Sequence, residues 1–134
     1  MVGMQAWMLA LTGDSEAAVR AAEESRQLGA IDDAVTQILW QASAGLAQGQ
    51  LGNLEEADRL SAGAIAAAAD TDSLSSADAW EARARVLAML GRRSEMLEAA
   101  AKARELHVAK GAINFISRLD RFLAEQEAAA PATS

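Results

Sequence analysis

The chain has no cysteine, no tyrosine and one proline, and aromatic residues make up only 4% of it. Without cysteine there is no disulfide framework and no thiolate metal site. The five aromatic residues are Trp7, Trp40, Trp80, Phe115 and Phe122. β-Sandwiches favour β-branched and aromatic residues, so so few aromatics speak against that class. Basic charge is scarce too. Twelve Lys and Arg face nineteen Asp and Glu, for a net charge of −7. A general phosphate-binding surface needs the opposite balance, so nucleic acid is not an expected partner. Long apolar runs are also missing. The opening Met1–Leu11 is apolar but short and lacks a basic flank, so it reads as neither signal peptide nor membrane span. A cytoplasmic location is the resulting expectation, in keeping with the absence of cysteine.

Alanine is abundant: 34 of 134 residues, within a hydrophobic content of 51%. That length and composition suit one domain of closely packed helices. Charge is unevenly spread. Residues 1–80 carry a net −9 and residues 81–134 a net +2. The plain reading is an uneven solvated surface; the sharper one is head-to-tail association or an acidic partner at the C-terminal end.

Three glycines organise the chain. Gly13, Gly52 and Gly91 are each 39 residues apart, within Leu11-Thr12-Gly13-Asp14, Gln50-Leu51-Gly52-Asn53 and Met89-Leu90-Gly91-Arg92. Each closes an apolar stretch and opens a polar one, as a helix-terminating glycine does. Asp14 or Ser15, Asn53 and Ser94 are candidate caps of the helices that follow, with Asn53 and Glu56 close to a capping box. The register extends to small residues. Ala6, Gly45 and Ala84 lie seven positions before the glycines; Ala18, Ala57 and Met96 lie five after; Ser25, Ala64 and Ala103 lie twelve after.

Gly45, Gly52-Asn53, Ala57 and Ala64 give the central unit a pattern that resembles the tetratricopeptide repeat, a helix–turn–helix unit of about 34 residues. The period here is longer, the usual closing proline is missing, and Gln48, Ser61, Leu87 and Ala100 stand at the usual tyrosine and phenylalanine positions. The segment from Glu81 through Gly91-Arg92-Arg93 to Gly111-Ala112 resembles the long, alanine-rich repeats of bacterial signal-transducing regulators. The resemblance implies an all-α fold. Its architecture would be an antiparallel helix-pair solenoid of three repeats, at about 1–30, 31–73 and 74–111, with a capping helix at 112–126. The whole forms one domain, 1–127, with a flexible tail at 128–134.

Helices are predicted at about 3–11, 15–29, 33–50, 54–70, 76–90 and 94–110. Asp70–Ser76 reads as a loop, with Ser75 a candidate cap. In the seventh helix, Ala112, Phe115, Ile116, Leu119, Phe122 and Leu123 form an apolar stripe, opposite Arg118, Asp120, Arg121, Glu125 and Glu127. A repeat stack needs such a two-faced helix at its end. The first helix has no such polar face. It therefore reads as the cut end of a longer stack, or as a self-association surface formed by Met4, Trp7, Met8 and Leu11.

Little in the sequence points to catalysis. His107 is the only histidine, and a lone helical histidine reads as a surface or core residue. The run Gly45–Gly52 lacks the Lys-Ser/Thr and preceding strand of a phosphate loop. Trp40 and Trp80 read as core. No catalytic residue, metal or cofactor is expected. The resemblance implies a concave groove lined by the first helix of each pair. Its candidate partner-binding residues are Trp7, Leu11, Leu39, Leu46, Gln50, Arg85 and Met89, with Ala10, Ala42, Asp78 and Glu81 beside them. The carboxylate-clamp version of that family needs several basic residues there, and only Arg85 qualifies. The expectation is a non-enzymatic protein- or peptide-binding scaffold, a regulatory part of a bacterial signalling or transcription-regulating protein. A homodimer through the first helix is a second partner. The alternative is a small-molecule or peptide sensor with a pocket among the first, third, fifth and seventh helices. Direct DNA binding would need Arg83, Arg85, Arg92, Arg93, Lys102 and Arg104 to share one surface.

Overall fold

A computed structural model describes the backbone of residues 2–28, 34–69 and 75–129. Among these residues there are seven helices and no strand: α1 (Val2–Leu11), α2 (Ser15–Leu28), α3 (Ala34–Gln50), α4 (Leu54–Ala69), α5 (Ser76–Met89), α6 (Arg93–Lys110) and α7 (Ile113–Ala129). Residues 1, 29–33, 70–74 and 130–134 lie outside the description, and with them most of the expected loop at 70–76 and the end of the expected tail. The last helix runs past position 126 to Ala129. Glu127, Ala128 and Ala129 all carry good helix propensity, and nothing in them stops the helix.

The glycine turns explain why the helices end where they do. At Gly52 φ is +91°, a conformation that costs residues bearing Cβ but not glycine. The Gly52 amide bonds to Gly49 O and the Asn53 amide to Gln48 O, at 3.0 and 2.8 Å. That pair of bonds is the Schellman arrangement, which satisfies carbonyls left open at a helix end. The same bonding and positive φ recur at Gly13, Gly91 and Gly111. Side-chain caps matter less than expected. Asn53 Nδ2 donates to Gln48 Oε1 at 2.6 Å. Ser75 stands at the start of α5 without a side-chain capping bond to the helix. Arg92 takes the N-cap of α6, which leaves Ser94 inside the helix.

Helices consecutive in the chain pack against one another, most closely as the pairs α1–α2, α3–α4 and α5–α6. In addition α1 packs on α3 and α3 on α5, while α7 rests on α6 through the thinnest of these contacts. Small residues set the approach. All nine positions of the glycine register, from Ala6 to Ala103, are buried. At Gly45 an added Cβ would stand 3.0 Å from the Ser61 backbone nitrogen, so α3 and α4 touch backbone to backbone. Met96, where a small residue was expected, lies in one buried cluster with Leu87 of α5 and Leu119 and Phe122 of α7.

The core has two main parts. Trp7, Ile38, Leu39 and Leu46 anchor one, among alanines of α1 to α5. Leu87, Met96, Leu119 and Phe122 anchor the other, among alanines of α5 and α6. No helix in the described residues is long and apolar enough to cross a membrane.

Candidate functional site

The expected groove residues do not come together on one open surface. Trp7, Leu39 and Leu46 are fully or almost fully buried in the larger core, so they hold α1 and α3 in place and face no partner. The helix stripe that looked like a groove floor is the stripe through which these helices meet. Leu11 is half-buried against the same core. Gln50 is a fastener between elements: its Nε2 donates to Ala10 O at 2.7 Å and its Oε1 accepts from Ser15 Oγ at 2.5 Å. Met89 is exposed, close over Gly49. Of the self-association set, Met8 is exposed and Trp7 is not, while the Met4 side chain lies outside the described residues.

The chemistry of the molecule is concentrated elsewhere, where α5, α6 and α7 meet. Asp78, Glu81 and Arg85 lie on one face of α5 at spacings of three and four, so they share a stripe. Burial of Glu81 is complete. Its carboxylate is enclosed by three donors from three helices. Arg118 of α7 donates from Nη2 to Oε1 at 2.8 Å and from Nε to Oε2 at 3.0 Å. Arg85 donates from Nε to Oε2 at 3.0 Å. His107 Nε2 lies 3.3 Å from Oε1. An ionised carboxylate has no proton to give, so the imidazole donates Nε2–H to it. Its Nδ1 is buried and unpartnered.

The rings of α7 frame this centre. Phe115 meets the His107 ring edge-on, with centroids 5.3 Å apart. The Arg118 guanidinium lies 4.4 Å from the Phe115 centroid, and that of Arg85 lies 4.6 Å from the Phe122 centroid. Both are within cation–π range, so each cation is held between a ring and a carboxylate. Burial pushes the Glu81 carboxyl up, but the hydrogen bonds from His107 and Arg118 and the charges of Arg85 and Arg118 outweigh it and hold it down at about 2. Asp78 is treated differently. Burial is its dominant influence and raises it to about 6, against the opposing charges of Lys110 and His107. Its Oδ1 is buried without a partner. Lys110 is lowered by burial, with Asp78 acting in the opposite direction.

A second feature is open to solvent. A cleft of about 520 Å³ is lined by Ala62 and Ile65 of α4, Trp80, Arg83 and Leu87 of α5, and Glu95, Glu98, Ala99 and Lys102 of α6. It is floored by α5 between α4 and α6, not set among α1, α3, α5 and α7 where a sensor pocket was expected. Trp80 is only half-buried, so it is both a core neighbour and part of the cleft wall. Arg83 is fixed there by Asp58 Oδ1 at 2.6 Å and Ser61 Oγ at 2.9 Å.

Several basic residues of the C-terminal part are paired with acidic side chains. Arg83 pairs with Asp58, Arg85 with Glu81, Arg92 with Glu95, Arg93 with Glu127 and Arg104 with Asp120. Arg118, expected on the solvated side of the last helix, turns inward to Glu81. No group of three or more His, Cys, Asp or Glu among the described residues is arranged to hold a metal ion. One signal for the cluster was present in the sequence: three ionisable residues on one face of an alanine-rich helix. The partners of that face, His107 and Arg118, come from 26 and 37 residues away and carry no local mark. No protein-family model, no curated protein and no solved structure matches the chain.

Proposed function

We propose that the chain is a tetratricopeptide-like repeat domain with a non-catalytic, protein-binding role, a scaffold within a bacterial signalling or transcription-regulating protein. The observation that carries this reading is the recurrence of one unit: the same glycine turn at positions 13, 52 and 91, with α1, α3 and α5 packed in order and each paired to its successor. Stacks of this kind are rigid along their length and present extended surfaces, so they work by display. The surface that fits a partner is the Trp80 cleft. Ile65, Trp80 and Leu87 give it an apolar lining, and Arg83, Glu98 and Lys102 offer both charge signs. An aromatic in a shallow cleft ringed by charge suits a helix or peptide that brings an apolar anchor and charges in the complementary order.

The test is affinity capture with the wild type and with a Glu98→Lys/Lys102→Glu variant. Both side chains are exposed, so the exchange leaves the fold intact. A partner bound through the cleft is lost from the variant. If every protein captured by the wild type is captured equally by the folded variant, the cleft reading is wrong.

A further inference from the structure

The last helix is held unlike any other. Of the seventeen residues of α7, only Leu119 and Phe122 are buried, and Ile113 is 73% exposed. Its outer ion pairs, Arg93–Glu127 at 3.2 Å and Arg104–Asp120 at 3.0 Å, lie on the surface, where such pairs contribute little. Two residues, Gly111 and Ala112, join it to α6, and Gly111 is in the left-handed conformation at φ +68°. The attachment therefore depends on few groups: Leu119, Phe122 and the Arg118–Glu81 pair.

The receiving surface is selective. Ala84, Leu87, Ala99 and Ala103 make it apolar, and Glu81 places a fully buried carboxylate in its floor. A purely apolar helix seated there would take from Glu81 its strongest partner and leave charge poorly compensated, at high cost. A helix that brings a guanidinium to that point is accepted. Phe115, Arg118, Leu119 and Phe122 follow the spacing of one helical face, and Phe115 supports the guanidinium from below. A ring-supported guanidinium approaching a carboxylate fork-on gives direction as well as attraction.

We propose that the α5–α6 surface is a receptor groove for an amphipathic helix with an inward arginine, that α7 is its resident but releasable occupant, and that the matching occupant in trans is the α7 of a second copy of the chain. Exchange of α7 between two copies would rebuild the same contacts on both, as helix exchange between identical chains does. This inference concerns the end of the stack. The Glu98→Lys/Lys102→Glu variant used for the Trp80 cleft leaves Glu81, Arg118 and Phe122 in place, so the two proposals fail separately.

The experiment uses the full chain and a fluorescent peptide spanning Ile113–Ala129. In wild-type protein the groove is filled and the peptide binds weakly. In the Arg118→Gln protein the resident helix is loosened, and the peptide is expected to bind at least about tenfold more tightly. A peptide carrying Arg118→Leu is expected to lose that gain. Hydrogen exchange on Arg118→Gln supplies the second reading: amides of α7 lose protection while those of α1 to α5 keep theirs. Equal peptide binding to the two proteins overturns the proposal, as does equal binding of the Arg118→Leu peptide. A loss of protection throughout the Arg118→Gln chain also overturns it, because α7 would then be inseparable from the core.

Discussion

In α1 to α4, the buried polar side chains among the described residues are Ser25, Thr36, Ser43 and Ser61, all uncharged hydroxyls. In α5 to α7 they include Asp78, Glu81 and His107. The two regions use nearly the same alanine-rich helices, yet one is closed by shape and the other by charge. In the first, every helix has several neighbours. The α1–α3 and α3–α5 contacts run beneath the pairs, and the large side chains Trp7, Ile38, Leu39 and Leu46 interlock. In the second, α7 is the last of the described helices and packs chiefly on α6. A buried ion pair costs desolvation, but it fixes one orientation of a helix that apolar contact alone would allow to slide.

The largest expected effect tests the shape-closed region. Trp7→Ala should cost about 3–5 kcal/mol by chemical denaturation, because the space left by a fully buried indole cannot be refilled by surrounding alanines. Trp7→Phe should cost far less, since it also removes a buried indole N–H that has no acceptor. Equal losses for the two would mean that the core around Trp7 collapses freely, which would erase the contrast.

The charge-closed region is tested next. Arg118→Ala should weaken the docking of α7 by about 3 kcal/mol, because Glu81 then faces that helix with less compensation. Adding Glu81→Gln should return much of that loss, which a double-mutant cycle on the hydrogen-exchange protection of α7 would show. Additive losses would sink the idea that the two side chains act as a unit.

Asp78 then gives a pH signature. Its folded pKa of about 6 lies above the ordinary 3.8, so the folded state holds the proton more tightly. The resulting stability is full below about pH 3.8 and is lost as pH rises through about 6, a change on the order of 3 kcal/mol. Glu81 acts in the other direction: it is held low, so its contribution is present above its ordinary 4.5 and is lost only as pH falls toward about 2. Asp78→Asn should therefore flatten the decline between about pH 4 and 6 and leave the acid limb unchanged. A decline that persists in the variant would locate the effect in another group.

The smallest effect is Arg104→Ala. Its pair with Asp120 is half-exposed, and the change should shift stability by less than about 0.5 kcal/mol. A loss as large as that of Arg118→Ala would show that α7 is held by its whole charged rim and not by Glu81.

Much of the fold was legible because its causes are local. The helices predicted at 54–70 and 94–110 appear as Leu54–Ala69 and Arg93–Lys110, each starting after a glycine turn whose chemistry sits within five residues. The packing register was legible as well, since an alanine at a fixed distance from each turn returns to the same face of its helix. The candidate site was not. Trp7 and Leu46 had the pattern of a groove floor, but apolar residues on one helical face look the same whether they meet a ligand or another helix. Arg118 had the pattern of a solvated face and is drawn inward by a carboxylate 37 residues away. Trp80 read as core and is half open, because α4 and α6 stand apart above it.

The sequence alone determined the helices, their ends and the small residues through which they approach, because propensity, periodicity and glycine turns act within a few residues. Only the tertiary structure decided that Glu81, His107 and Arg118 share one buried centre, and that Asp78 lies beside it without a full set of partners. Those charges become costly or favourable only when three helices exclude water around them, and no single stretch of chain carries that information.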